Sequence, residues 1–585
     1  MRQTTFRTNS DSADERIVVP TGIIRLVRTG FIRYGLRELL DGFKEGGVPL
    51  GLVIENFCIA CLSGEYSMNE WDSIINRSEV RKKFFCGKYD IRRWTFQRAL
   101  ERLGNYLEEV VVHLTKVSRT MFPDMPTHVY ADGSHIKRNG LAGKNVLYGE
   151  GGGSVQPQDQ FMVAADISTG IPVSAELYPG NLNDPSQYND FIPQLMYLLK
   201  EGSMVVFDNG GSGASILNSI LSHGGHYLTR VKTNASDERY IAENADQMVY
   251  VGLDAACLSR TFESSGRTVY LFFSSVSYIA TVARAEKAVT LKEIQRKKAQ
   301  KILEENKPLK LLKWDKNPFY TIEVNGVKLI QAQDPWTELD PEKELKDAIP
   351  ADGGWFKLEC SFPMDPRLAL LVYRHRVDIE HLISMLKSVV KLDPVRVWSV
   401  DSTRGKLAAG FITAFILSAM MNDLGGKKTV KNLDGKPVTA EAKLSAATVV
   451  KELNRYQSIV SMTPWGTFDF TDAFDKDPMQ PFVTLFDKYD SEGKIEVPED
   501  IVWRTDPPAQ WGSAGKNSKH LATLIAQYFE KEIFPEWMAD RCHWKQPQPN
   551  IKPVDSEQKC PSNDLGAGTG LKGKTGYYGA GNERV

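Results

Sequence analysis

Residues 204–231, MVVFDNGGSGASILNSILSHGGHYLTRV, decide the fold class. Four consecutive apolar residues at Met204–Phe207 predict a short buried strand, and Ala214–Ser222 has apolar residues at helical spacing. The run His226–Val231 predicts a second strand. A strand, a helix and another strand therefore follow one another closely, and this alternation is typical of α/β proteins.

The segment before residue 204 supports the same class. Residues 127–131 form a short β-type run that ends at Asp132, and residues 161–165 and 171–178 predict two strands joined by a turn. Residues 184–199 follow with a helical pattern. The order of these elements predicts a mixed β-sheet with flanking helices.

The segments on either side have other patterns. Residues 1–120 have helical periodicity and predict an N-terminal helical domain. Residues 233–360 break the α/β pattern, with strand-like runs at 268–278 and 319–332 around a polar helix at 284–306. We interpret residues 233–360 as a β-rich insertion domain that interrupts the core.

The last part of the chain returns to helices and then becomes irregular. Residues 465–506 are rich in Asp, Phe and Pro and predict irregular structure, and residues 566–581 contain seven glycines and predict a flexible end. The predicted domains are 1–120, 121–232 for the first part of the core, 233–360, 361–460 for the second part, and 461–585 for a C-terminal extension.

The net charge is small but unevenly distributed. The formal charge of -1 taken alone argues against a generic nucleic-acid coat protein. Residues 81–105, however, hold eight Lys and Arg against two acidic residues, and residues 284–313 hold ten against four. Residues 465–506 hold four basic residues against eleven acidic ones. Contacts with phosphate groups are therefore expected in the two basic segments, although both could also be solvated faces.

Cysteine content and hydropathy predict a soluble, cytoplasmic protein without membrane contact. The seven cysteines are too few and scattered for a disulfide framework, and Cys58 and Cys61 lie in an apolar run that predicts a core helix. The apolar stretch 407–421 is shorter than the ~20 residues that span a bilayer, so we interpret it as a buried helix.

The segment YRHRVDIEHLISMLK at 373–387 carries the sharpest chemical pattern. On a continuous helix, Tyr373, Arg376, Glu380 and Lys387 would fall within an arc of roughly 60° beside an apolar stripe. A phenol, two cations and a carboxylate along one edge suit phosphate groups and a metal ion. The simpler alternative is a solvated helical face with an Arg376–Glu380 ion pair.

Two further acids change this balance. Asp132 and Asp208 each follow a predicted strand, where an Asp usually caps a turn or the next helix. Together with Glu380 they could also form a triad for two Mg²⁺ ions, which lie ~3.5–4 Å apart in two-metal sites. A nucleotide-binding loop at 208–215 is disfavoured because both the third glycine of GxGxxG and the Lys of a P-loop are missing.

The spacing Tyr373-(2)-Arg376-(3)-Glu380-(6)-Lys387 resembles the Y-(2)-R-(3)-E-(6)-K signature of DDE transposases from bacterial and archaeal insertion sequences, namely insertion-sequence family four and its relatives. Residues 130–134, 180–184 and 206–210, together with 227–232, resemble the acidic blocks and turn of the same family. The resemblance covers residues 127–232 and 365–425 well. It covers residues 1–120 loosely, and we expect this helical domain to bind DNA.

This resemblance implies an RNase H-like catalytic core with a β-rich insertion between Asp208 and Glu380. It assigns Asp132, Asp208 and Glu380 as catalytic metal ligands for two Mg²⁺ ions, with Mn²⁺ as a substitute. It assigns DNA contacts to Tyr373, Arg376 and Lys387, with Arg230 and Lys232 as weaker candidates.

The implied reaction is cleavage at the ends of the element and strand transfer into target DNA. The expected partners are double-stranded DNA, carrying the terminal inverted repeats or the target, and a second copy of the chain on that DNA. Trp314 is a candidate for holding a flipped base, and His135 for approaching the metals; a structural role is the simpler alternative for both. A catalytically inactive DNA-binding descendant and a metal-dependent nuclease or phosphatase on the same fold remain open.

Overall fold

The protein is described here from a computed structural model that defines residues 15–498 with internal gaps. The gaps are 65–67, 78–79, 82–83, 86–87, 123–127, 139–147, 152–153, 253–254, 264, 305–318, 325–326, 333–340, 351–352, 394–396, 398, 425–426, 432–436, 442–444, 464–465 and 472–479. Trp314 and the Gly-rich tail lie outside the described residues.

In the described residues, a run of helices up to Met121 precedes a region of mixed strands and helices. The α-helices are α1 (Thr21–Arg33), α2 (Leu36–Gly42), α3 (Leu50–Leu62), α4 (Met68–Ile75), α5 (Arg93–Gly104), α6 (Leu107–Met121), α7 (Asp184–Leu198), α8 (Ala214–Ser222), α9 (Ala235–Asn244), α10 (Ser275–Glu304), α11 (Pro341–Ala348), α12 (Pro366–Arg374), α13 (Val377–Ser384), α14 (Val400–Leu424), α15 (Ala446–Leu453) and α16 (Gln480–Glu492). The strands are β1 (Glu15–Val19), β2 (Val129–Lys137), β3 (Tyr148–Gly151), β4 (Ser154–Asp166), β5 (Pro172–Pro179), β6 (Met204–Phe207), β7 (His226–Val231), β8 (Val249–Gly252), β9 (Ala255–Thr261), β10 (Thr268–Ser274), β11 (Phe319–Val324), β12 (Val327–Ala332), β13 (Trp355–Cys360), β14 (Lys427–Lys431), β15 (Pro437–Glu441), β16 (Ser458–Thr463) and β17 (Gly466–Thr471).

A ten-stranded mixed sheet forms the centre of the fold. Its order is β3-β4-β2-β6-β7-β13-β10-β9-β8, and β5 also pairs with β4. The pairs β2–β6 and β6–β7 are parallel, whereas β4 and β13 run antiparallel to their neighbours. The prediction of an α/β protein with a mixed sheet is confirmed, and the strand–helix–strand segment 204–231 has the predicted bounds.

Helices cover both faces of this sheet, because side chains of successive strand residues point to opposite faces. On one face, Val129 and Ala131 of β2 pack with Phe191 of α7 and Ile220 of α8. On the other, Tyr130 belongs to a larger core that includes the N-terminal helices and α12–α15. The N-terminal helices and the predicted catalytic core therefore share one hydrophobic core.

Residues 233–360, the predicted insertion, contribute strands to the same sheet. β13 pairs with β7 through Lys357↔Val231 and its neighbours, and β10, β9 and β8 follow. The strand predicted at 268–278 ends at Ser274, where α10 begins. Whether this segment is a separate domain stays a prediction, but its sheet is continuous with that of the core.

The prediction of irregular structure at 465–506 was wrong in part. This stretch contains β17 and α16, and α16 buries Phe482, Leu485, Phe486 and Tyr489 in the main core. Apolar residues at this spacing form one face of a helix, and that periodicity outweighs the local abundance of Asp and Pro.

α14 is the central helix of the main core. It is the one helix in the described part of the chain that is long and apolar enough to span a membrane, and most of its apolar window is buried within the protein. The prediction of a buried helix at 407–421 is confirmed. Cys58 and Cys61 are likewise buried in α3 as free thiols, as the core-helix interpretation predicted.

Two buried histidines make the stability of the fold dependent on pH. His128 Nδ1 accepts a hydrogen bond from the Met204 amide, and His226 Nδ1 lies 3.1 Å from Ser361 Oγ. Burial lowers the pKa of His226 from 6.5 to about 4 and that of His128 to about 3. Below pH 6.5 the unfolded chain takes up protons that the folded chain does not. Their contribution to stability is therefore complete above pH 6.5 and is lost as the pH falls towards 4.

We expect the free energy of unfolding to fall between pH 6.5 and 4, with His226 alone contributing on the order of 3 kcal/mol. Urea unfolding across this range measures the slope. His226→Asn should flatten it, whereas His381→Asn, at a site 74% exposed, should not. Equal slopes for all three proteins would contradict the assignment.

Candidate active site

Two of the predicted acids lie side by side just beyond the last parallel pair of β2 and β6. Asp208 follows β6, but the strand that was expected to end at Asp132 continues to Lys137, because it also pairs with β4. The β2–β6 register pairs Tyr130 with Val206, so Asp132 and Asp208 lie two residues further along adjacent strands. Side chains at this edge of a parallel pair converge on a common crevice. The sheet therefore brings together two acids that are 76 positions apart in the sequence.

The turn after β6 fixes the orientation of Asp208. Its Oδ1 accepts a hydrogen bond of 2.8 Å from the Gly210 amide, and its carbonyl accepts one of 3.0 Å from Thr229 Oγ1 on β7. Gly211 packs so closely that an added Cβ would lie 2.6 Å from the Phe207 ring. The glycine-rich sequence after Asp208 thus forms a tight turn that leaves its carboxylate at the sheet edge.

The segment that contains the signature is not one continuous helix, which corrects the helical projection. α12 ends at Arg374, α13 begins at Val377, and Met385–Val389 forms a π-helical turn. Backbone hydrogen bonds from Arg376, Asp378 and Ile379 reach back three residues rather than four. Tyr373 and Glu380 therefore lie on different helices, with Arg376 at the junction between them.

Arg376 connects two of the predicted metal ligands. Its Nη1 donates a 2.7 Å hydrogen bond to Asp132 Oδ2, and its Nη2 donates a 3.0 Å hydrogen bond to Glu380 Oε1. The Arg376 and Asp132 side chains are largely buried, whereas that of Glu380 is 53% exposed. The structure thus brings Asp132, Arg376 and Glu380 into direct contact across three elements.

Burial and mutual repulsion perturb the acids of the site. Burial, opposed by Arg376 and reinforced by the charge of Asp208, raises the pKa of Asp132 from 3.8 to about 6. Burial and Asp208 also raise the pKa of Asp184, at the start of α7. Sequence reasoning placed Asp184 only in a turn and missed that it lies near Asp208. The available signal was the resemblance of residues 180–184 to the turn of the same family.

Tyr373 and Arg230 border the same crevice. Burial raises the pKa of Tyr373, and the nearest charges that act on its hydroxyl are Arg376, Arg230, Asp208 and Asp132. Arg230 is exposed at the end of β7, and Lys232 is exposed just beyond it. A half-buried phenol and the cations Arg230 and Arg376 therefore lie beside the acids.

Lys387 interacts with a second group of charged residues. Burial lowers its pKa, with Asp393 opposing this effect and Lys137 adding to it. His135 belongs to the same group, since Lys387, Asp393 and Lys137 are the charges that act on it. Among the described residues, His135 therefore interacts electrostatically with this group rather than with the three acids.

The donor chemistry of the site fits a divalent metal ion. Carboxylate oxygens are the ligands that Mg²⁺ prefers. Two neighbouring carboxylates repel each other, and one of them is largely removed from water, so a bound cation would stabilise both. As placed, no three His, Cys, Asp or Glu side chains within the described ranges are close enough together to hold a metal. Arg376 lies between two of the three predicted ligands, bonded to Asp132 on one side and to Glu380 on the other.

Comparison with known proteins identifies the family of the chain. A family model described as "Transposase DDE domain" matches residues 124–416, which is half of the chain and includes all predicted site residues. No curated protein matches significantly. Among solved structures, a piggyBac transposase in a synaptic complex with hairpin DNA is similar, with a TM-score of 0.34 and 10% identity. That likeness covers 74% of this chain and 79% of the other. By the family match alone, the chain belongs to the transposase DDE domain family.

Proposed function

We propose that the protein is the transposase of an insertion sequence of the Y-R-E-K subgroup, with an RNase H-like core. It cuts DNA at the ends of its own element and joins them to target DNA. The observation that carries this proposal is the joining of Asp132 and Glu380 by Arg376, with Asp208 on the adjacent strand. Basic groups beside the acids favour a phosphate substrate.

Asp132, Asp208 and Glu380 would hold two Mg²⁺ ions, with Mn²⁺ as a substitute. When bound, such ions supply an activated water and neutralise charge on the phosphate. Arg376 and Tyr373 bind the phosphate beside the bond that is cut, and Arg230, Lys232 and Lys387 bind phosphates further along the DNA. Tyr373 is not proposed as a nucleophile, because two bound metal ions would supply both an activated water and charge neutralisation.

The chemistry consists of two displacements at phosphorus. Water adds to a phosphodiester at the element end and the 3′-oxygen leaves as a free hydroxyl. That hydroxyl then attacks a target phosphodiester, forms a new ester and displaces the target 3′-oxygen. Each step breaks and forms one P–O bond, so no covalent protein intermediate is needed. Because both ends must be held together, the active form is a homodimer on DNA.

The exposed face of α5 supplies DNA contacts away from the acids. Trp94 is 58% exposed with the Arg93 guanidinium 4.2 Å from its ring, and Arg98 and Arg102 follow at helical spacing. Both arginines border an open groove of about 780 Å³ that Lys44 also lines. Glu101 and Asp401 also line the groove, and Trp94 lies one helical turn before Arg98, outside the lining. Three cations in a groove beside an exposed aromatic ring suit the phosphate backbone.

Removal of Arg98 and Arg102 should weaken duplex binding by a salt-dependent amount. Affinity falls as salt rises, and each lost phosphate contact makes the slope of log affinity against log salt shallower by ~0.9. Arg98→Ala/Arg102→Ala should therefore make it shallower by about 2. Fluorescence anisotropy over a salt series measures the slope. Lys451→Ala/Lys488→Ala, at exposed sites on α15 and α16, is the matched control. An equal slope in both double variants would contradict the α5 contact.

A joining assay tests the proposed function against its rivals. The substrate is linear DNA that carries the genomic sequences flanking the reading frame, incubated with target plasmid and Mg²⁺. Cleavage at the flanks with joined products supports a transposase. Cleavage without joining would favour a nuclease, and binding without cleavage would favour an inactive descendant.

A further inference from the structure

Arg376 donates hydrogen bonds to two of the carboxylates that a metal ion would need as ligands. It bonds to Asp132 Oδ2, while Asp132 Oδ1 accepts a hydrogen bond of 2.9 Å from the Gly133 amide. Both oxygens of Asp132 are therefore already hydrogen-bonded, and Glu380 is drawn to the same guanidinium. A divalent cation that used both carboxylates would have to displace Arg376 from them.

The surroundings of Arg376 allow such an exchange. Glu380 is half exposed, so its carboxylate can leave the guanidinium without entering an apolar environment. Arg376 lies at the junction between α12 and α13, outside both helices, where a change in its position does not break a regular helix. A guanidinium also matches a phosphate as well as it matches carboxylates, because both accept two parallel N–H bonds.

We propose that Arg376 exchanges partners when DNA binds, leaving Asp132 and Glu380 for a DNA phosphate and so allowing metal and DNA to load together. This inference rests on the proposed function, since it takes these acids as metal ligands. In the DNA-free protein Arg376 competes with the metal for the carboxylates. A DNA phosphate removes the competitor, and by linkage the bound metal must strengthen DNA binding by the same factor.

Mn²⁺ binding followed by electron paramagnetic resonance tests the exchange without depending on activity. Without DNA, Arg376→Met should bind Mn²⁺ about tenfold more tightly than the wild type, which corresponds to the loss of one charge-assisted contact. Duplex DNA from the flanks of the reading frame should tighten Mn²⁺ binding to the wild type about tenfold and to Arg376→Met hardly at all.

Two variants separate the direct contact from a general charge effect. Arg230→Met removes a cation that acts on Tyr373 in the same crevice, and it should leave Mn²⁺ affinity without DNA within about twofold of the wild type. Arg376→Lys keeps the positive charge but lacks the two parallel N–H donors of a guanidinium. Its Mn²⁺ affinity should therefore lie between those of the wild type and Arg376→Met. Thermal unfolding of each variant verifies the fold, and Arg376→Lys carries the test if Arg376→Met is unfolded.

The outcomes distinguish this inference from the proposed function. If Asp208→Asn weakens Mn²⁺ binding but the Arg376 variants bind Mn²⁺ like the wild type with and without DNA, the exchange is wrong and the metal site stands. If Arg230→Met tightens Mn²⁺ binding as much as Arg376→Met, a diffuse charge effect replaces the exchange. If Asp208→Asn leaves Mn²⁺ binding unchanged, the metal site itself is wrong.

Discussion

Replacing Asp208 with asparagine is expected to slow cleavage at the DNA ends by about 10²–10³-fold or more. Asparagine has nearly the same shape, and its side-chain oxygen can still accept the Gly210 amide, so the turn after β6 should persist. The change removes one negative charge beside Asp132. Single-turnover cleavage with Mg²⁺ measures the chemical step separately from product release.

Asp246→Asn is the matched control for this prediction. Asp246 is exposed in the turn just after α9, and its replacement should change the rate less than twofold. The site assignment fails if Asp208→Asn and Asp246→Asn cut at the same rate. Equal melting temperatures for both variants ensure that a lost rate reflects chemistry and not unfolding.

Gly405→Ala is expected to lower the free energy of unfolding by about 2–3 kcal/mol, even though alanine favours helices. Gly405 lies where α14 crosses α5, and an added Cβ would be 1.8 Å from the Leu100 carbonyl oxygen. Gly104 has the same role on α5, where a Cβ would be 2.1 Å from the Asp401 carbonyl oxygen. Neither backbone carbonyl can move without separating the two helices.

Gly410→Ala on the same helix provides the comparison. There an added Cβ would lie 3.5 Å from Leu386 and Val390, which is ordinary van der Waals contact. Alanine should therefore be neutral or stabilise the protein by up to about 1 kcal/mol through helix propensity. Chemical denaturation of both variants measures the difference. If Gly405→Ala is as stable as Gly410→Ala, the crossing of α5 and α14 is less close than described.

Local patterns in the sequence predicted most of the central sheet. A buried strand such as β6 shows as an uninterrupted apolar run, and α8 shows as an apolar stripe, so both could be bounded from composition alone. The adjacency of Asp132 and Asp208 could not be read from local patterns in the same way. It depends on parallel pairing of strands far apart in sequence. Local patterns offered a shared site only as an alternative to capping roles, and the family resemblance then favoured it.

The parts that were missed depend on tertiary contacts. A helical projection assumes continuous bonding between residues four apart, so it could not anticipate the break at His375 and Arg376, where Arg376 reaches Asp132 on the sheet. The approach of Asp184 to Asp208 likewise arises from the packing of α7 against the turn after β6. The extension of the sheet into residues 233–360 depends on long-range pairing of β13 with β7.

The central claim is that Asp132, Asp208 and Glu380 form the metal-dependent DNA-cutting centre. A crystal of the protein with flanking duplex DNA and Mn²⁺, measured at the manganese absorption edge, tests it most directly. We predict anomalous density in contact with the carboxylates of Asp132 and Asp208, with Arg376 on a DNA phosphate. Anomalous density elsewhere, with none at these acids and Arg376 still between Asp132 and Glu380, would contradict the claim.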